Sequence, residues 1–147
     1  MKSLLITAVF VLAGFSLIYG SNYYWVGNSG NWSDVSHWAT TSGGTTKYTV
    51  VPTSADNVFF DANSFTLASQ TVTVNVAANC LNMDWTGALN TPTLAGGSAI
   101  NIYGSLTLIS GMNLNSSSGL LSFLSNNLGN TITTAGKSIP RSMVFNI

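Results

Sequence analysis

The chain has 147 residues, four basic and four acidic side chains, one histidine and a formal net charge of zero. Charged residues make up 5% of it, against roughly 25% in an ordinary globular protein, so no field is available to recruit nucleic acid or acidic lipid. The length suits one domain. Ser, Thr, Asn and Gly stand in for Lys and Glu, which excludes a helical bundle or a charged disordered tail and suits a β-structure with a hydroxyl- and amide-rich outer face.

Residues 1–20 are a different material. Met1-Lys2-Ser3 carries one positive charge, and Leu4 to Ile18 is an apolar run broken by Thr7, Gly14 and Ser16. Tyr19-Gly20-Ser21 follows. A short basic head, an apolar core and a small residue at the exit describe a secretory signal peptide, with cleavage expected after Gly20. The run is short for a spanning helix, which needs roughly 20 apolar residues; an uncleaved anchor is the rival reading. The expected location is therefore secreted, extracellular or outer cell surface, with no membrane span after cleavage. Cys80 is the single cysteine, so no internal disulfide can form and the thiol reads as a small buried hydrophobe.

From Ser21 the pattern is short strand, turn, short strand. Tyr23 to Val26 is β-prone, and Gly27-Asn28-Ser29-Gly30 is a turn with two residues suited to positive φ. Ser33 or Asp34 could cap one turn of helix. Lys47 to Val51 reads as a strand stopped by Pro52, and Val58-Phe59-Phe60 as another. Beyond Phe65 the alternation is regular. Val72, Val74 and Val76 share a face, as do Leu81, Met83 and Trp85. Ile100/Ile102, Leu106/Leu108, Met112/Leu114 and Leu121/Phe123 repeat the pattern, followed by Ile132 and by Met143 to Ile147. Gly or Asn marks nearly every break.

Strands this short, each with one apolar face, suit a β-sandwich or a stacked solenoid. Corners such as Tyr103-Gly104-Ser105 leave no room for a crossover, and related units recur at about 20–25 residues, a solenoid-type period. The fold expected is all-β: a short right-handed parallel β-helix, with a β-sandwich as the alternative. Residues 21–65 form an aromatic-rich β cap and residues 66–147 the coils, which read as truncated at the C-terminus because Met143 to Ile147 ends in mid-strand. Asn at successive corners would form a side-chain amide ladder. The first coil exposes unpaired edge groups that invite aggregation, and the aromatic block is placed to cover it.

The residues Trp25-Val26-Gly27, Gly30-Asn31-Trp32-Ser33-Asp34 and His37-Trp38, then Pro52, Asp56-Asn57-Val58-Phe59-Phe60-Asp61, carry a resemblance. The pattern W-x-G-x-x-G-x-W-x-x-x-x-x-W followed by P-x-x-x-D-x-V-x-F is similar to the N-terminal region of large secreted β-helical surface proteins, of Bacteroidetes type and autotransporter-like adhesins. It covers Tyr23 to about Ile147 and is sharpest in the first forty residues. It implies an extracellular, repetitive, adhesin-like scaffold, and no catalytic residue.

Asp56, Asp61 and Asn63 form an oxygen-rich cluster of the kind calcium uses, although calcium takes six to eight ligands; turn formation is the plainer account. His37 has no partners at zinc-ligand spacing, and no G-x-S-x-G elbow is present. Lyase chemistry needs a base with cationic neutralisation and glycosidases need paired carboxylates; neither set is legible, so the segment reads as a non-enzyme needing no cofactor. Trp25, Trp32 and Trp38 could stack on sugar rings, although an isolated cap needs the same indoles as packing mass. Surface glycans or other cell-surface proteins are the expected partners. The function expected is a structural or adhesin-like β-solenoid segment, the alternative a carbohydrate-binding module or the non-catalytic start of a polysaccharide-active enzyme.

Overall fold

A computed structural model describes residues 20–146. Apart from Gly20, the expected leader lies outside the described residues. Among the described residues, no helix is long and apolar enough to cross a membrane.

The elements follow coil by coil. The first coil holds β1 (Asn22–Trp25), β2 (Gly30–Asn31), a 3-10 turn (Val35–His37) and β3 (Trp38–Ala39). The second holds β4 (Asn57–Phe59), β5 (Thr71–Thr73) and β6 (Ala78–Cys80), and the third β7 (Met83–Asp84), β8 (Thr93–Ala95) and β9 (Ile100–Ile102). The fourth holds β10 (Leu106–Thr107), β11 (Asn113–Leu114) and β12 (Leu121–Phe123), and β13 (Ile132–Thr133) and β14 (Met143–Phe145) lie beyond it. Three sheets result: sheet A in the order β3-β1-β4-β7-β10-β13, sheet B in the order β2-β5-β8-β11, and sheet C in the order β6-β9-β12-β14.

Every pairing between coils is parallel. Among the described strands the one antiparallel pair is β1 with β3. This is a β-solenoid of about four turns, and the sandwich alternative is excluded by strand direction. Hydrogen bonds between side chains of successive coils follow the period. Asn79 and Asn101 are bonded 22 residues apart, Asn57 and Asn82 25 apart, and Ser105 and Thr131 26 apart.

The expected amide ladder is present. Asn82 Nδ2 donates to Asn57 Oδ1 at 2.7 Å, and Asn57 Nδ2 donates to Asn22 Oδ1 at 3.0 Å. Asn82 Oδ1 also accepts from the backbone N–H of Ser105 at 2.6 Å. A Cβ at Gly104 would collide with this amide and with the Leu81 carbonyl, so that corner requires glycine.

The core runs up the axis: Val58, Val72, Val74, Cys80, Met83, Ile100, Ile102 and Leu106 are buried. Three expectations fail locally. Val76 is exposed, because β5 ends at Thr73 and the chain bends there toward sheet C. Residues 47–51 form no strand: an isolated bridge joins Lys47 to Ala39, and Val50 is exposed. In the last coil the apolar Ile132, Met143, Val144 and Phe145 are all exposed, since β13 and β14 are sheet edges.

Candidate functional site

The aromatic motif folds into one packed unit at the first edge of the solenoid. Gly27 and Asn28 take left-handed backbone, with φ of 82° and 74°, and turn the chain after β1. Asp34 caps the 3-10 turn by accepting from the Ser36 N–H at 2.9 Å. Hydrogen bonding from the Ser36 side chain, and then from its N–H, holds the Asp34 carboxyl below its ordinary range. The turn delivers His37, which lies flat on Trp25, ring centroids 4.5 Å apart. β3 then runs back along β1 and covers the sheet edge.

Trp25, Trp32 and Trp38 are each 0% exposed. Trp38 stands edge-on to both Trp25 and Trp32, at 5.0 and 4.7 Å. Below them Phe60 stacks on Trp85 at 3.8 Å. The indole N–H of Trp25 donates to the Asn28 carbonyl at 2.7 Å and that of Trp38 to the Trp32 carbonyl at 2.9 Å. The indole nitrogens of Trp32 and Trp85 are buried with no partner among the described residues. The three tryptophans offered for glycan stacking therefore present no ring face to solvent, and that assignment is corrected: their surface is spent on packing the cap, at roughly 150–250 Å² for each buried ring.

His37 is committed as well. Its Nδ1 lies 2.6 Å from the Val26 carbonyl, which can only accept, so Nδ1 carries the proton. Its Nε2 faces the Asp34 carboxylate at 3.9 Å. The histidine is a packing and tethering group.

The oxygen-rich cluster is not assembled into one site. Asp56 precedes β4 and accepts from the Ser21 N–H and from both the N–H and hydroxyl of Thr53. Asp61 follows β4 and accepts from the Asn63 N–H, while the Asn63 amide donates to the Ser42 hydroxyl. The two carboxylates stand at opposite ends of one strand, and both Asp56 oxygens are already accepting, from Ser21 and from Thr53. The calcium assignment to Asp56, Asp61 and Asn63 is corrected accordingly. Among the described residues no three His, Cys, Asp or Glu side chains are grouped to hold a metal ion. Cys80 is buried, and desolvation pushes its thiol far above the ordinary value.

A half-buried aromatic pair lies on the outer face of sheet A. Tyr24 and Phe59 alternate with buried neighbours, Tyr23 and Trp25 in one case, Val58 and Phe60 in the other. They are register partners on β1 and β4, so both project outward from sheet A. Their rings stack at 5.1 Å, 20° from parallel. Phe59 continues in register to Asp84, Thr107 and Thr133. Strand alternation carries the signal for this pair, since Tyr24 and Phe59 each sit between two inward-facing apolar residues.

The fold and its closed end define an aromatic-capped β-solenoid. Comparisons with protein-family models, with curated proteins and with solved structures returned no match.

Proposed function

We propose that the chain is a secreted or cell-surface, structural and adhesin-like β-solenoid segment with no catalysis of its own. The observation that carries this reading is the parallel stack itself. Its core is one continuous apolar column, and the outer rows of sheets B and C carry Thr, Asn and Ser in register without charge. Such a stack gives a stiff, extended presenting surface. The motif's likeness to large secreted surface proteins supports the same reading, as does the leader expected at residues 1–20.

The test is export of the full chain, leader included, from a bacterial host. The expected result is protein outside the cytoplasm with Ser21 as its first residue, retained on cells. Cytoplasmic protein still beginning at Met1 would contradict the proposal. The second reading, a carbohydrate-binding module, is favoured by one observation: the outward Tyr24–Phe59 stack.

A further inference from the structure

The outward face of sheet A differs from the other two. On sheet C the outward row is Asn79, Asn101 and Ser122; on sheet B it is Thr71, Thr93 and Asn113. Neither row holds an aromatic ring. Sheet A alone carries two, Tyr24 and Phe59, half-buried and already stacked. Next to them in register come the Asp84 carboxylate and the Thr107 hydroxyl. A shallow groove of about 370 Å³ runs beside them, lined among others by Asn57, Phe59, Asp84 and Thr107.

The polar groups along this row are unequally committed. The Asn22–Asn57–Asn82 ladder satisfies itself. Asp84 Oδ1 accepts from the Thr86 N–H at 2.7 Å, and among the described residues no donor meets Oδ2. Among the described residues, Asp84 is the sole ionisable group lining the groove. Lys47 and Arg141 are turned to carbonyls, Lys47 to that of Gly44 and Arg141 to those of Ser98 and Gly96.

From this we infer that the outward face of sheet A binds a neutral polysaccharide, with Tyr24 and Phe59 as the stacking platform and Asp84 Oδ2 and Thr107 as hydrogen-bond partners. A ring C–H face stacks on an aromatic face, and an acceptor-only carboxylate takes hydroxyl donors. A lone negative charge disfavours anionic glycans and nucleic acid. A peptide strand needs unpaired backbone groups to add to a sheet, and β4 and β7 are paired on both sides. At about 4.8 Å per strand, the row from Tyr24 to Thr107 spans roughly 14 Å along the stack, which suits a short oligosaccharide segment lying across the strands.

The inference deepens the carbohydrate-binding reading and rests on it. The test is affinity electrophoresis of the full chain in gels carrying β-glucan, xylan or galactomannan, with polygalacturonate as the anionic comparison. Retardation by at least one neutral polymer is expected, followed by calorimetry with the matching hexasaccharide. Phe59→Ala and Tyr24→Ala should each weaken that binding about tenfold, the scale of one lost ring contact. Asp84→Asn, which keeps the Oδ1 acceptor for Thr86, should weaken it while leaving the melting temperature in place. Thr71→Ala on sheet B should change nothing. No retardation by any neutral polymer, retardation by polygalacturonate alone, or binding unchanged by all three sheet A substitutions would overturn the inference. Asp84→Asn decides the matter even where an alanine variant unfolds. Neutral-polymer binding that survives all three substitutions would leave the carbohydrate-binding reading standing and remove this face from it. Binding by a chain that is never exported would instead sink the adhesive role alone.

Discussion

The imidazole of His37 lies 5° from parallel with the indole of Trp25, and Gly30 passes so close to its edge that a Cβ there would overlap Nε2. Gly30 is thus a packing requirement of His37, and Gly27 supplies the turn that brings the two rings together. Gly30→Ala should destabilise the fold by about 1–3 kcal/mol through overpacking. In a His37→Ala background the same substitution should cost at least about 1 kcal/mol less. Urea unfolding of the four proteins checks this, and strictly additive losses would contradict it.

Trp38 and Trp85 are both fully buried, yet their N–H groups fare differently. That of Trp38 meets the Trp32 carbonyl, and that of Trp85 meets nothing. Trp38→Phe leaves a buried acceptor unpaired, whereas Trp85→Phe removes an unpaired donor. The first should cost about 1–3 kcal/mol more than the second. Equal losses in chemical denaturation would show that the indole hydrogen bond does not matter to the cap.

The corner amide of Asn82 ties three coils, through Asn57 on one side and Ser105 on the other. Asn82→Ala leaves the Ser105 N–H without its acceptor and should cost about 1–3 kcal/mol. Hydrogen exchange at Ser105 should quicken in this variant while exchange within sheet C holds. Uniform change across both would argue for global loosening instead.

Two buried acids make the fold sensitive to alkali. Burial raises the Tyr23 phenol above its ordinary value, and desolvation raises the Cys80 thiol. Both keep their protons in the native state after the unfolded chain has begun to lose them. Their contribution is full below the ordinary thiol and phenol values of about 8.5 and 10, and is lost as pH rises through the folded values. Unfolding free energy should fall between about pH 8 and pH 11, and Tyr23→Phe or Cys80→Ala should flatten that fall. An unchanged slope in the double variant would contradict the assignment. Thiol reagents should label Cys80 only as fast as the chain unfolds.

Much of this architecture was legible before any coordinates. Alternation placed Val72, Ile100, Ile102, Leu106 and Phe123 inward, and Gly or Asn marked the corners. The Asp34 cap and the amide ladder followed from the same local chemistry. What failed depended on where the chain bends or stops being covered. Val76 continues the pattern of Val72 and Val74 past the end of β5, and periodicity cannot see a corner. Residues 47–51 have strand composition but only one bridged partner at Lys47. At the candidate sites, residue type misled. Tryptophan is able to bind sugar, but in the first coil it is the largest mass available to close an open end. The stack of Tyr24 on Phe59 is not legible in local sequence because their pairing spans two coils.

The account stands on coils stacking in parallel, and backbone nuclear Overhauser contacts between coils test that most directly. Sheet C is the place to look, since Ala78 pairs with Ile100 and Ile100 with Leu121. The account predicts amide-to-α-proton contacts typical of parallel ladders along Asn79, Asn101 and Ser122, with close α-proton pairs confined to the Tyr24–Ala39 region of the cap. Close α-proton pairs across sheet C, the mark of antiparallel neighbours, would contradict it.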